Sequence, residues 1–312
     1  MRKALLDILI CPRCLPQEYR LQETISEGIK EDIIEGTLTC HQCGAVYPIR
    51  QGVAFLDPNE PAQPRTQNRY ETTAVVASYL WSHYGDLLGD ELATDAYTRW
   101  AGLMAPGPGA CLDTGCAVGR FSFEMAQKFD FVVGLDNSHA FIRTSRELLR
   151  QRRLELALPE EGLLKRPETL VLPDSWRTDN LEFIVGDAQA LPFAAGTFAA
   201  ISSLNMVDKL PQPLVHLAEI NRSAKKIQAQ FLFSDPFSWS PDVAPEVQWL
   251  GGKMNGRFSG RARDNIIALL EGKTADLSPA WKVERDGPIW WKIRTHSNHY
   301  EMIRSCFIKA TR

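Results

Sequence analysis

Residues 112–119 read Leu-Asp-Thr-Gly-Cys-Ala-Val-Gly, and a helical pattern starts directly at Arg120. An apolar run ends in a carboxylate, Asp113, and a turn with glycines at Gly115 and Gly119 follows. Glycine admits positive φ and lets a ligand come close to the main chain. A strand, a glycine turn and a helix start make the first crevice of a doubly wound α/β sheet, where nucleotide-like ligands bind. The spacing is D-x-G-x-x-x-G, one glycine short of the dinucleotide pattern. No Gly-Lys-Ser/Thr follows, so nothing in the turn is suited to a pyrophosphate. Asp113 suits a cationic ligand instead.

Two further strand ends repeat the carboxylate. Phe131-Val132-Val133-Gly134-Leu135-Asp136 is the second strand, and an acid at its end can accept from both hydroxyls of a ribose. The third, 181–185, runs into Gly186-Asp187-Ala188, where Asp187 can accept from an adenine amino group. Cys116, Asn137, Ala188 and Asn205 complete the candidate lining. Together these positions describe a site for S-adenosylmethionine, with Asp113 toward its amino-acid end. From residue 112 to the chain end the set resembles the class I S-adenosylmethionine-dependent methyltransferases. The resemblance implies an α/β, Rossmann-like seven-stranded sheet and methyl transfer as the activity. The alternative is a Rossmann-like domain holding another nucleotide.

Four of the seven cysteines form two pairs, Cys11-Pro-Arg-Cys14 and Cys40-His-Gln-Cys43, and Gly44 follows the second. Two C-x-x-C knuckles at this separation predict a closed structural zinc site with Cys11, Cys14, Cys40 and Cys43 as its ligands. His41 lies inside a knuckle and reads as an exposed neighbour. The segment Leu5-Leu6-Asp7-Ile8-Leu9-Ile10-Cys11-Pro12, the second knuckle and Tyr47-Pro48-Ile49-x-x-Gly52-Val53 resemble the small zinc-ribbon subunit that activates tRNA and protein methyltransferases. The resemblance implies that the ribbon stabilises the enzyme, here within one chain. The expected organisation is a zinc ribbon over 1–56, a proline-rich polar linker over 57–69, and a methyltransferase domain with N-terminal cap helices over 70–312.

The acceptor side should be built by loops outside the carboxyl ends of strands. A fourth strand over 198–204 ends in Asn205-Met206-Val207-Asp208-Lys209-Leu210. A fifth over 230–234 ends in Asp235-Pro236-Phe237-Ser238-Trp239, and a last pair over 281–284 and 300–310 closes the sheet. Residues 70–104 carry Tyr79, Trp81, His83, Tyr84 and Trp100 on helical patterns that should cap the cleft. Tyr79-Leu80-x-x-His83-Tyr84-Gly85, Asp136-x-Ser138-His139-Ala140-Phe141, Asn205-x-x-Asp208-Lys209-Leu210 and Trp249-Leu250-Gly251-Gly252 resemble the methyltransferase domain of ovothiol synthase, a 4-mercaptohistidine N-methyltransferase. That narrower resemblance places His83, Tyr84, Asn205, Asp208 and Asp235 around a small-molecule acceptor, an imidazole or thiohistidine-like nitrogen or sulfur. The chain departs from it at Arg222-Ser223-Ala224-Lys225-Lys226, which replace a Gly-Gly turn, and at Asp235. Methyl transfer needs orientation and a dry site first, and a base only where the acceptor must lose a proton. His83 is equally readable as a packed core histidine, and Asp208 as a partner of Lys209.

The chain has 312 residues, 44% of them hydrophobic and 23% charged, with a formal net charge of −3. That composition suits a soluble globular protein and does not suggest a dedicated nucleic-acid binder. Residues 1–60 are acidic, residues 250–312 basic, and residues 61–312 neutral overall. The basic end leaves ribosomal or transfer RNA as the alternative acceptor. Asp7 interrupts the N-terminal apolar run, which argues against a signal peptide. No stretch reaches membrane-span length, so no membrane partner and a cytoplasmic location are expected. Oligomeric state is not legible.

Overall fold

The computed structural model describes residues 1–59 and 69–312. The linker expected over 57–69 therefore lies for the most part outside the described residues. The N-terminal segment forms a four-stranded antiparallel sheet of β1 (Gln22–Ile29), β2 (Asp32–Thr39), β3 (Val46–Arg50) and β4 (Val53–Ala54), in that order.

Next come two helices, α1 (Thr73–Tyr84) and α2 (Ala96–Gly102), in the stretch expected to cap the cleft. The main body alternates β5 (Ala110–Thr114), α3 (Arg120–Ala126), β6 (Phe131–Asp136) and α4 (His139–Gln151). A hairpin of β7 (Arg153–Glu161) and β8 (Leu164–Val171) intervenes. The body continues with β9 (Leu181–Val185), β10 (Phe198–Leu204), α5 (Pro213–Ser223), β11 (Gln230–Asp235) and α6 (Ala262–Leu270). It closes with β12 (Lys282–His296) and β13 (His299–Thr311).

Seven strands make one sheet in the order β12-β13-β11-β10-β5-β6-β9. The inner strands pair in parallel, and β13 runs antiparallel to both β11 and β12. Every residue of β9 and β10 is buried, as strands covered on both faces require. This is the expected architecture. The closing pair is longer than the sequence suggested, because β12 continues past Glu284 with Ile289 and Trp291 buried and Trp290 exposed between them. The β7–β8 hairpin was not anticipated.

The four-stranded sheet packs on the β9 edge. The Leu56 amide donates to the Val185 carbonyl at 2.8 Å, Ile10 donates to Pro192 at 3.0 Å, and Ala194 donates to Ile8 at 3.1 Å. Leu5, Leu9 and Leu56 share one apolar cluster with Ala188, Leu191 and Phe193. A buried charge triad crosses the same junction. Arg146 of α4 forms a bidentate pair with Asp32 of β2, at 2.7 and 2.8 Å, and also bonds Glu182 of β9. Gly52 leaves room for it: a Cβ there would come 2.4 Å from the guanidinium.

Glu182 is fully buried. The Met1 ammonium lies 2.8 Å from Asp32 and 4.0 Å from Glu182, so loss of Arg146 leaves the two acids with one cation between them, which is destabilising but costs less than stripping a buried charge of every partner. Arg146→Ala is therefore expected to lower the unfolding midpoint in a thermal melt. Arg146→Met combined with Glu182→Leu should recover much of the loss.

Candidate active site

The glycine turn joins β5 to α3. Gly115 has φ +68°, and a Cβ there would come 2.5 Å from the Met206 sulfur. Gly119 has φ +85°, and its Cβ would meet the Phe183 ring at 2.6 Å. Both glycines are thus required by backbone conformation and by close packing. The turn is held from β6, where the Leu135 carbonyl accepts from the amides of Gly115 and Cys116 at 2.8 and 3.1 Å.

Asp113 sits buried beneath the turn. It accepts from Ser122 of α3 at 2.6 Å and from Ser202 of β10 at 2.8 Å. Burial raises its pKa to about 6 against the pull of those two hydroxyls. Asp136 is half-buried at the end of β6 and accepts from the amides of Ala117 and Ser138, each at 2.9 Å. Burial raises it to about 6 as well. Asn137 beside it is exposed. Asp187 is half-buried past β9 and accepts from the Gln189 amide at 2.8 Å. Ala188 is buried, and its carbonyl meets His216 Nδ1 at 2.9 Å.

Arg120, the first residue of α3, turns away from the site. It bonds Asp86 at 2.7 and 3.0 Å and Glu124 at 3.0 Å, so it offers no cation to a pyrophosphate. Two half-buried carboxylates at adjacent strand ends, with apolar Ala188 and Met206 near them, fit an uncharged nucleoside rather than a phosphate. Cys116 is buried, and burial pushes its thiol pKa well up, so it is a neutral packing residue.

The strand-four and strand-five ends come together. Asn205 adopts φ +56°, donates its amide to Ser234 at 2.6 Å, and accepts from Ser305 at 2.5 Å. Asp208 and Asp235 are 1% and 0% exposed. Asp208 accepts from the Ser238 amide at 2.7 Å and pairs with Lys209 at 3.1 Å. Its other oxygen, Oδ1, is buried with no partner among the described residues. Asp235 accepts from the amides of Phe237 at 2.7 Å and Asp208 at 3.3 Å. Burial, then the neighbouring Asp208 charge, drives the Asp235 pKa well above the usual carboxylate range, so it holds its proton.

His83 and Tyr84 lie elsewhere, behind the turn. The Tyr84 hydroxyl donates to the Val118 carbonyl at 2.7 Å, and the whole side chain is buried. His83 is buried against Tyr97, with Nε2 2.6 Å from its hydroxyl. Burial, then Arg120, lower its pKa and keep it neutral.

Two residues of this region carry no local signal in the sequence. Glu71 accepts from the amides of His139 and Ala140, at 2.8 and 3.0 Å, and so caps α4 next to Asp136. His216 joins the Ala188 carbonyl to Ser203 at 3.0 Å, and burial lowers its pKa to about 4. Both act across long stretches of chain.

In the N-terminal sheet, Cys11 and Cys43 sulfurs lie 3.6 Å apart and those of Cys14 and Cys40 3.8 Å apart. All four lie within 4.8 Å of one another. A tetrahedron with ~2.3 Å zinc–sulfur bonds has edges of ~3.8 Å, so the cluster fits zinc. His41 turns to Gln22 instead. Pro12 and Arg13 of the first knuckle share a cleft of about 590 Å³ with Asp187, Gln189 and Gln212.

Residues 112–227 match the family model described as methyltransferase domain. This class of enzyme is the one the sheet order and the turn define: the protein is an S-adenosylmethionine-dependent methyltransferase of class I. Residues 2–52 match the family model of Trm112p-like proteins. The chain thus joins a Trm112-like zinc-ribbon domain to a class I methyltransferase domain. No curated protein sequence matches it.

Solved structures are similar to it at low identity. A complex of the Haloferax volcanii Trm112 methyltransferase activator with a methyltransferase is 13% identical over 79% of this chain and 99% of that one, with a TM-score of 0.47. A Bacillus halodurans methyltransferase is 13% identical over 70% and 98%, at 0.44. An Aquifex aeolicus S-adenosylmethionine-dependent methyltransferase is 14% identical over 77% and 97%, at 0.42. No helix among the described residues is long and apolar enough to cross a membrane.

Two expectations follow. Metal analysis of the purified protein should find about one zinc per chain. A ribose hydroxyl donates to an ionised carboxylate, and protonation removes that acceptor. Both turn carboxyls are raised to about 6, so cofactor affinity should climb as pH rises through about 6 and level off above it. Calorimetry from about pH 5 to about pH 8 checks this, and a flat profile would take Asp136 out of the contact.

Proposed function

We propose that the protein methylates a small-molecule acceptor at an imidazole-like or thiohistidine-like nitrogen or sulfur. The observation that carries this reading is the buried, unpartnered Oδ1 of Asp208. An acceptor oxygen held out of water without a donor is costly, and an acceptor N–H would satisfy it. Asp235 beside it is driven well above the usual carboxylate range by burial and then by the Asp208 charge, and holds its proton. S-adenosylmethionine supplies an electrophilic methyl group when bound. The chain then orients the acceptor, excludes water, and takes the surplus proton at Asp208. Asn205 is fixed by Ser305, whose hydroxyl also accepts from Trp291 at 2.9 Å, and positions the acceptor from the cap side. His83 and Tyr84, expected around the acceptor, are buried behind the turn and have no part in the proposed acceptor site. The narrower sequence resemblance, to a 4-mercaptohistidine N-methyltransferase domain, points to the same class of acceptor.

On the cofactor side the proposed contacts are Asp113, Gly115, Cys116, Gly119, Asp136, Asn137, Asp187, Ala188 and Asn205. Asp113 acts through its serines rather than from an open position. The proposed domain limits are 1–56 for the ribbon and 70–312 for the enzyme. The cleft shared by Pro12, Arg13 and Asp187 supports a ribbon that reaches the adenine side.

The Trm112-like ribbon favours a second reading, an RNA acceptor. That reading needs a continuous basic surface along Arg257, Arg261 and Arg263. Arg257 is paired with Asp276, and Arg263 with Asp264 and Asp286, so two of the three charges are neutralised.

Methyl transfer from labelled cofactor to thiohistidines, histidine and total RNA separates the two readings. Label is expected in a small molecule, and label confined to RNA would overturn the first reading. Asp208→Ala should lower turnover while leaving cofactor affinity nearly intact, whereas Asn205→Ala should lower turnover and weaken cofactor binding as well. An Asp208→Ala enzyme with full turnover would withdraw the strand-four loop from the acceptor site.

A further inference from the structure

A cavity of about 660 Å³ lies at the loop that follows Asp235, lined among others by Phe237, Trp239, Arg261, Asp286, Arg304 and Cys306. Its position follows from strand register. Cys306 of β13 pairs with Asp235 on one side and with Pro288 of β12 on the other. The loop that forms its wall hangs on two carboxylates, since Phe237 donates to Asp235 and Ser238 to Asp208.

Phe237 and Trp239 of the lining belong to a longer run of near-parallel rings. Phe233 and Phe237 lie 6.1 Å apart at 21°, Phe237 and Trp239 6.3 Å at 23°, and Trp239 and Trp249 6.2 Å at 16°. Gly252 fits against this run, with φ +76° and space for a Cβ only 3.1 Å from the Trp239 ring.

The charges in the lining are not balanced. Arg263 is held by Asp286 at 2.7 Å and by Asp264 at 2.6 Å. Arg261 and Arg304 are exposed and have no carboxylate partner among the described residues. The nearest polar contact of Arg304 is the Cys306 sulfur at 3.8 Å. Two unpaired guanidiniums facing one cavity are a carboxylate site in charge and in hydrogen-bonding shape.

We propose that this cavity holds the far end of the methyl acceptor, with a carboxylate between Arg261 and Arg304 and the adjoining apolar or ring part against Phe237 and Trp239. The proposal rests on the small-molecule reading above and narrows it: the acceptor is an anion or a zwitterion, never a simple amine. The reacting nitrogen or sulfur then lies toward Asp208, and the carboxylate sets how far it can reach. Neutral and cationic analogues lose the anchor and bind in no fixed register.

The test starts from the small molecules of a cell extract incubated with labelled cofactor and the full-length protein, with the labelled acceptor then isolated. Its KM is measured with wild type, Arg261→Gln, Arg304→Gln and the double variant, alongside cofactor affinity as a check on folding. Each single change should raise KM roughly ten- to hundred-fold, the worth of one charged hydrogen-bond partner. The loss should disappear when the acceptor's carboxylate is amidated, because the anchor is then absent for wild type too. An acceptor without an anionic group, or a KM untouched by both substitutions, overturns the inference and leaves the small-molecule reading standing. Label in no small molecule overturns both.

Discussion

Carboxylates taken out of water have to find donors, and the donors they find here hold the active half of the molecule in shape. A buried carboxylate is costly unless hydrogen bonds replace its hydration. Asp113 takes its two from Ser122 and Ser202, which belong to a helix and a strand flanking β5. Asp136 takes its own from Ala117 in the turn and Ser138 at the start of α4. Each acid thus ties together elements that would otherwise meet only through apolar contact. The turn cannot shift without stripping donors from a group that needs them. Asp208 and Asp235 repeat the arrangement two strands away, with loop amides in place of serines. The difference is that their set is incomplete, and the gap is where chemistry can be done.

Much of this was legible in the residues, for a physical reason. Strands covered on both faces must be apolar throughout, so β9 and β10 announce themselves. A tetrahedral thiolate site needs close cysteine pairs, so its four members are readable without their partners. Asp113, Asp136 and Asp187 were legible because each closes an apolar run. What escaped was whatever depends on distance along the chain. Arg146 meets Asp32 across 114 residues and Glu182 across 36. Glu71 caps a helix 68 residues on. Tyr84 reads as a cleft aromatic, yet its hydroxyl is spent on Val118, a partner that only the packing of α1 against the turn supplies. The β7–β8 hairpin was missed for another reason. Leu154, Leu156 and Leu158 do alternate with Arg153, Glu155 and Ala157, the pattern of a half-buried strand, but the hairpin is an insertion between α4 and β9 that the alternating strand–helix order does not call for.

The charge triad at the junction has a role distinct from adding stability. A buried ion pair often contributes little net free energy compared with an apolar replacement, while its geometry can fix register. Arg146 reaches one carboxylate on each side of the junction, and Gly52 is shaped around its guanidinium. The Met1 ammonium joins the same cluster, 2.8 Å from Asp32 and 4.0 Å from Glu182. The apolar contacts of Leu5, Leu9 and Leu56 drive the packing, and the triad selects one orientation of it. That orientation brings the first knuckle beside Asp187.

The strand β9 is the last of the seven, and its outer edge is met by Phe55 and Leu56. An open sheet edge presents unpaired amides and carbonyls to any neighbouring chain, and proteins ordinarily blunt such edges with charge, bulges or a covering segment. β9 reads Leu-Glu-Phe-Ile-Val, with little charge to repel a second strand. Its protection comes from the N-terminal sheet. An enzyme cut free of that sheet would expose a flat apolar edge together with the cluster around Leu191 and Phe193. The N-terminal segment thus serves as the edge cover of a sheet it does not belong to, closing by Phe55 and Leu56 the one border that β9 leaves open.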